Sequence, residues 1–305
     1  MRWLVTGAGG QLGHHVTARL QRDGAEVVAL TRQQLDITAR ADVERAIAAH
    51  RPDVVINAAA YTAVDAAETD EHTAHLVNAV GPELLAAALA ESGGRLIHVS
   101  TDYVFDGTAD RPYEPDDPVG PQTAYGRTKL AGEIAVQSVL PERSHIVRTA
   151  WVWGGPGPNF VDTMLRLERE RPTIDVVNDQ IGSPTWVGDL ASALVELGRS
   201  SVGAGTLHFV NSGQASWFDL AQAVFVVVGA DRARVKPACT DRASRPAPRP
   251  AWSVLSTASW ASARLAPPRP WRDALSAALS RKQQTANSTG RGGQLHLPPN
   301  RPSNQ

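Results

Sequence analysis

Cysteine is all but missing from this 305-residue sequence, where Cys239 stands alone. A lone thiol excludes an intrachain disulfide framework and any cysteine-built zinc cluster, and a reducing, cytoplasmic setting is the simplest expectation. Lysine is scarce as well. Among 30 basic residues only Lys129, Lys236 and Lys282 are lysines, so any chemistry that needs an ammonium has few places to find one. Neither charge is in surplus, because 31 acidic residues face the 30 basic ones. Without a basic block no field is available to hold a phosphate backbone, which excludes nucleic acid as the expected partner. Long apolar runs are lacking too. The longest, such as Ala223 to Val228, fall far short of the roughly 20 residues that span a bilayer, and no signal peptide or membrane segment is expected.

What is present is material for a full core, with 42% hydrophobic residues. The 25 glycines and 21 prolines follow no fixed period and do not form long polar tracts, so extended disorder is expected only at the C-terminus. The first half alternates short β-branched runs with longer alanine-rich stretches, the pattern of buried parallel strands joined by crossover helices. Strands are expected at Trp3 to Thr6, Val27 to Thr31, Val54 to Asn57, Leu96 to Ser100 and His145 to Thr149. Helices are expected after Gly10, around Asp42 to His50, across Glu71 to Glu91 and across Tyr125 to Val139. The fold class is therefore α/β, a Rossmann-type doubly wound parallel sheet, with a smaller C-terminal substrate-binding lobe. Residues 1–150 form the expected dinucleotide-binding domain. Residues 151–281 form mainly the second lobe, with parts returning to the first. Helices are read there at Phe160 to Arg169, Val187 to Gly198 and Trp271 to Leu279, an extended connector at Arg245 to Pro250, and a mobile tail over residues 282–305.

The opening run Leu4-Val5-Thr6-Gly7-Ala8-Gly9-Gly10-Gln11-Leu12-Gly13 reads as a strand, a tight turn and a helix. Gly7 suits the turn, Gly10 admits a pyrophosphate to the helix N-terminus, and Gly13 allows close helix-to-sheet packing. At the end of the second strand an acidic residue would bind the ribose 2′-hydroxyl of NAD. Thr31 and Arg32 stand there instead. A guanidinium suits a 2′-phosphate, which favours NADPH over NADH, while the bland alternative is a solvated surface charge. Asp36 lies within reach of the adenine or ribose.

Tyr125 and Lys129 are four residues apart, hence on one face of the helix that begins there. Reduction of a ketone by hydride leaves an alkoxide that needs a proton, and a nearby cation makes a phenol a better acid. Lys129 is expected to lower the tyrosine pKa and to hold the nicotinamide ribose. Thr101 is placed to hydrogen-bond the substrate carbonyl or Tyr125, completing a Thr/Tyr/Lys constellation.

Several strings together resemble the extended short-chain dehydrogenase/reductase family and, within it, the dTDP-4-dehydrorhamnose reductases. They are Asn57-Ala58-Ala59-Ala60-Tyr61-Thr62-Ala63-Val64-Asp65, Ser100-Thr101-Asp102-Tyr103-Val104-Phe105-Asp106-Gly107, Tyr125-Gly126-Arg127-Thr128-Lys129, Arg148-Thr149-Ala150-Trp151-Val152 and Asn178-Asp179-Gln180-Ile181-Gly182-Ser183-Pro184-Thr185. The resemblance covers about residues 1–280. It implies reduction of the C4 ketone of dTDP-4-dehydro-β-L-rhamnose to dTDP-β-L-rhamnose by NAD(P)H, the last step in making that activated sugar. Carried over by position, Tyr125 is the proton donor, and Thr101 with Asp102 contacts the sugar. Gly10, Gln11 and Leu12 touch the pyrophosphate, Asp36 and Ile37 the adenosine half, and Ala60, Tyr61, Thr62 and Val99 the middle of the cofactor. Trp151 faces the sugar, a role for which an indole face is suited; its alternative is a core tryptophan. Some members of the family hold Mg²⁺ through glutamates at a dimer contact. Here His15 follows His14 at that place, so no metal ligands are assigned, although the resemblance allows Mg²⁺ and a homodimer.

Asp179 and Gln180 read equally as ligand contacts or as a self-satisfied loop. Arg249 is a candidate for the dTDP diphosphate, against a stiff solvated linker. Two other functions share the fold: an epimerase or dehydratase with permanently bound NAD, and a non-catalytic regulatory subunit. The first wants an acidic pair after the threonine, but Tyr103 follows Asp102. The second has no chemical need for Thr101, Tyr125 and Lys129 together.

Overall fold

The computed structural model describes residues 1–240 and 251–290, with side chains as far as Lys282. Five strands fall where the β-branched runs are: β1 (Arg2–Thr6), β2 (Glu26–Leu30), β3 (Val54–Asn57), β4 (Arg95–Thr101) and β5 (Ser144–Thr149). They pair in parallel in the order β5-β4-β3-β1-β2. A sixth strand, Gly205–His208, joins in parallel beyond β5. Sequence reading missed it because only Leu207 of its four residues is a large apolar side chain, and an edge strand needs no continuous apolar run.

Helices cover both faces. On one side α1 (Gln11–Arg22) packs against the helix Val187–Arg199, burying Val16, Leu20, Leu190 and Leu194 with Trp3, Val5 and Ile97 of the sheet. On the other, Arg40–His50, Gly81–Ser92 and Ala124–Val139 bury Val43, Ile47, Leu85, Leu89 and Val136 over Leu4, Val55 and Leu96. A separate core gathers Phe160–Glu170, Trp217–Val227 and Trp271–Gly290 around the strand pair Ile174–Val177 and Val235–Ala238. No helix among the described residues is long and apolar enough to cross a membrane.

Two expected helices differ. The Glu71 to Glu91 run divides into Glu71–His75, a π turn at Leu76–Val80 and Gly81–Ser92. The last helix does not stop at Leu279 but runs from Trp271 to Gly290, so the expected mobile tail begins as helix. Polarity after Arg281 predicts loss of order, and residues 291–305 of that expected tail lie outside the described residues. Yet Lys282, Gln283, Gln284 and Ala286 are good helix formers, and no glycine or proline intervenes before Gly290.

Candidate active site

The carboxyl ends of the central strands open into a cavity of about 820 Å³, the position where a doubly wound sheet receives its ligand. The turn between β1 and α1 forms one end. Gly7 has φ +65°, and a Cβ there would stand 2.7 Å from the Ala59 nitrogen, so glycine lets the ends of β1 and β3 close together. A Cβ on Gly13 would meet the Gly7 carbonyl oxygen at 2.2 Å. Gly7 and Gly13 thus shape the turn from behind, while Gly10, Gln11 and Leu12 line the cavity. Gly10 caps α1 without a side chain, and no acid occupies the first turn, so the helix end suits an anion. Gly13→Ala is expected to destabilise the chain by about 1–3 kcal/mol and to weaken NADPH binding, read by urea denaturation and by cofactor titration.

Thr31, Arg32, Asp36 and Ile37 lie beyond the lining of the cavity. Thr31 donates its amide and hydroxyl to Gln34 Oε1 at 2.9 and 3.0 Å, and Arg32 is exposed. The Thr38 hydroxyl and amide donate to Asp36 and hold its carboxyl below the usual range. Ile37 is buried. Its side chain is core, wedged against Gly81, so only its backbone is left for an adenosine.

Ala60 and Thr62 line the cavity, whereas Tyr61 does not. The loop that carries them is pinned by Asn78, a residue that sequence reading passed over. Fully buried in the π turn, Asn78 accepts from the Tyr61 amide at 2.9 Å and donates to the Tyr61 carbonyl and the Thr128 hydroxyl, each at 3.1 Å. A Cβ on Gly132 would lie 2.0 Å from the Asn78 carbonyl oxygen. The helix bearing Tyr125 and Lys129 is therefore packed directly on that turn.

Thr123 caps this helix by accepting from the Gly126 amide at 2.9 Å, which sets Tyr125 in its first turn. The Tyr125 phenol hydrogen-bonds Thr101, and its ring meets the Tyr103 ring edge-on at 5.6 Å. Burial pushes the phenol above its ordinary pKa, the Thr101 bond opposes this, and the Asp102 and Tyr103 charges add to the rise. Lys129 is buried with its ammonium donating to the Val99 carbonyl at 2.7 Å, 3.3 Å from His98 Nε2. Burial lowers its pKa to about 8 against the opposing pull of Glu133. The ammonium is turned toward β4, and burial is the largest cause of the shift at both groups.

Thr101 also donates to Asp102 Oδ1 at 2.9 Å. Burial raises the Asp102 carboxyl to about 6, while Ser253 and Thr101 hydrogen bonds pull the other way. Ser253, from the short strand Trp252–Ser253, had no sequence signal to mark it. Gln11 Oε1, Ser100 Oγ, Asp102 Oδ2 and Thr149 Oγ1 are buried without a hydrogen-bond partner among the described residues, and all four residues line the cavity. Buried polar atoms are normally paired, so this concentration marks a ligand site.

The opposite wall is aromatic, built from Trp151, Trp217 and Phe160. Trp151 lines the cavity with one ring face covered. Trp217 stacks on it with centroids 3.6 Å apart and planes 3° from parallel. Trp217 was missed, although Ser216 and Asp219 form a capping box that announces a helix starting there. Gln180 lines the cavity and accepts from Trp217 Nε1 at 3.2 Å; Asp179 is exposed and bonds Thr240. His14 is exposed and His15 half-buried, both lining a second cavity. No group of three or more His, Cys, Asp or Glu able to hold a metal is found among the described residues. Arg249 and the Arg245 to Pro250 connector lie outside the described residues.

Residues 1–284 match the family model of the RmlD substrate binding domain. A dTDP-4-dehydrorhamnose reductase of Streptomyces griseus is 51% identical over 278 residues, covering 90% of this chain and 91% of its own. A probable dTDP-4,6-dihydroxy-2-methyloxan-3-one 4-ketoreductase of Streptomyces antibioticus is 50% identical over 276 residues, covering 90% of this chain and 93% of its own. The crystal structure of dTDP-4-dehydrorhamnose reductase from Bacillus anthracis in complex with NADP is 35% identical, covers 92% of this chain and 99% of that one, and superposes with a TM-score of 0.87. With a match that runs through the glycine turn, the Thr101/Tyr125/Lys129 cluster and the aromatic wall alike, the chain belongs to the family of the RmlD substrate binding domain.

Proposed function

We propose that the chain reduces the C4 ketone of dTDP-4-dehydro-β-L-rhamnose to dTDP-β-L-rhamnose with NADPH, the last step in making that activated sugar. The carrying observation is the cluster of unpartnered polar atoms lining one cavity with Tyr125 and Lys129, at the carboxyl ends of a doubly wound sheet. The cofactor fits what is there: an uncapped helix end at Gly10 to Leu12 for the pyrophosphate, Ala60, Thr62 and Val99 along the middle, and Lys129 as a donor for the ribose. When bound, the nicotinamide supplies the hydride.

The chain's own residues supply the rest. Tyr125 donates its proton to the C4 oxygen as hydride reaches the carbon, so the ketone gains a hydride and a proton, two electrons and two protons in all, and leaves as an alcohol. Thr101, bonded to both Tyr125 and Asp102, fixes the phenol's direction. Asp102 Oδ2, lacking a protein partner among the described residues, is the sugar's acceptor. Residues after Trp151 supply the sugar's far wall, and we assign that role to the 151–281 lobe.

The test follows oxidation of NADPH by the purified chain, with dTDP-4-dehydro-L-rhamnose generated in place and the 4-ketosugar named for the Streptomyces antibioticus relative as comparison. Stoichiometric oxidation with the rhamnose precursor supports the reading. Oxidation confined to the other sugar would replace it. Arg32→Glu is expected to raise the NADPH KM about ten- to a hundredfold, the worth of a charge-assisted phosphate contact, with the NADH KM little changed. An equal effect on both cofactors would return Arg32 to a surface charge.

A further inference from the structure

Trp151 has φ +46°, a left-handed conformation in which a bulky L-residue is a genuine outlier. Such conformations persist when their surroundings over-determine them, and here the surroundings can be named. A Cβ on Gly182 would stand 2.3 Å from Trp151 Cε2 and 2.6 and 2.7 Å from its ring neighbours Nε1 and Cζ2. Being nearest the atom between two nearly equidistant neighbours, it lies over the ring face. Trp217, at 3.6 Å and 3°, fills the other face. Trp217 is itself anchored: its Nε1 donates to Gln180 Oε1 at 3.2 Å, and Gln180 Nε2 donates to the Thr240 hydroxyl at 2.8 Å. Its backbone opens the helix Trp217–Val227, locked by the Ser216/Asp219 capping box. With both faces covered, Trp151 has only its rim to offer the cavity it lines.

We propose that Gly182, Gln180 and Trp217 are positioning residues that clamp the Trp151 indole edge-on, and that Trp151 recognises the pyranose through its rim and its indole N–H. The inference rests on the reading of this cavity as a sugar-nucleotide site. It also gives the Asn178 to Thr185 string a task. Gln180 and Gly182 act through the two tryptophans, one as the anchor of Trp217 and the other as the floor beneath Trp151.

Three variants of the full chain test it: Trp217→Ala, Trp217→Phe and Gly182→Ala. Gly182 is absent from the cavity lining, so an effect on the sugar is indirect, and the first atoms that a Cβ there meets are those of Trp151. The stacked indoles are expected to give an exciton couplet in far-ultraviolet circular dichroism that Trp217→Ala and Gly182→Ala abolish. In both, the sugar KM should rise about tenfold while the NADPH KM stays put, and Trp217→Phe should restore most of the sugar KM by keeping a ring on the face. A lost couplet with an unchanged sugar KM would overturn the clamp. So would sugar and NADPH KM rising together, the mark of a merely structural role. Should Trp217→Ala fail to fold, Gly182→Ala and Trp217→Phe decide alone. Calorimetric binding of dTDP-L-rhamnose separates the two readings: affinity lost in Gly182→Ala, in a chain that never oxidises NADPH, would support the clamp and overturn the reductase.

Discussion

Tyr125→Phe is expected to lower kcat by about 10²- to 10⁴-fold, the usual worth of a positioned general acid, with NADPH binding retained. The substitution removes one oxygen from a ring whose packing stays in place. The edge-on contact with Tyr103 is made by the ring, and the helix cap at Thr123 involves only backbone and the threonine hydroxyl. What disappears is the proton and the bond to Thr101. Because burial raises the phenol's pKa, Tyr125 holds its proton throughout the neutral range, and its efficiency as a donor depends on being aimed rather than on being acidic. Thr101→Val should therefore repeat part of the loss. Steady-state kinetics beside a cofactor titration check the prediction; a Tyr125→Phe enzyme within about threefold of the unmodified kcat would remove Tyr125 from the chemistry.

The fold was legible where one physical signal dominates. Buried parallel strands must be apolar on both faces, so Trp3–Thr6 and Val54–Asn57 announce themselves, and a glycine turn at the first strand end shows in three glycines. The pairing of Tyr125 with Lys129 was legible for a related reason: helical spacing fixes which residues share a face, while Thr101 comes from the end of β4. What stayed hidden depends on tertiary distances. Asn78 looks like any helical asparagine until the π turn aims it at the Tyr61 loop. Trp151 lines the cavity as an aromatic that the sequence shows, but a sequence cannot say that Gly182 and Trp217 cover its two faces. Spacing also says nothing of desolvation, the largest cause of shift once Lys129 and Tyr125 are both buried.

Glu133→Ala should cost about 3–5 kcal/mol, the penalty of stranding a buried charge, out of a total near 5–15 kcal/mol. Glu133 sits on the same helix as Lys129, and its carboxylate takes Arg148 of β5 in a two-pronged bond at 3.0 and 2.7 Å, with side-chain exposures of 2% and 6%. The guanidinium also donates to the Pro115 carbonyl at 3.0 Å and lies 5.0 Å from the centre of the Phe105 ring. Removing the carboxylate leaves that cation enclosed, whereas replacing both partners by apolar residues, as in Arg148→Met with Glu133→Leu, should come out near neutral. Urea denaturation distinguishes the two, and equal losses would show that packing rather than stranded charge sets the cost. The same carboxylate reaches the active site, since its charge raises the Lys129 pKa against the burial that holds it at about 8. In Glu133→Gln, which preserves volume, that support is lost and Lys129 gives up its proton at lower pH. The alkaline fall in kcat/KM should then move to lower pH, while its acid side, where Lys129 is charged in both proteins, stays in place. An alkaline limb that did not move would mean that the charge on Lys129 is not what the reaction needs.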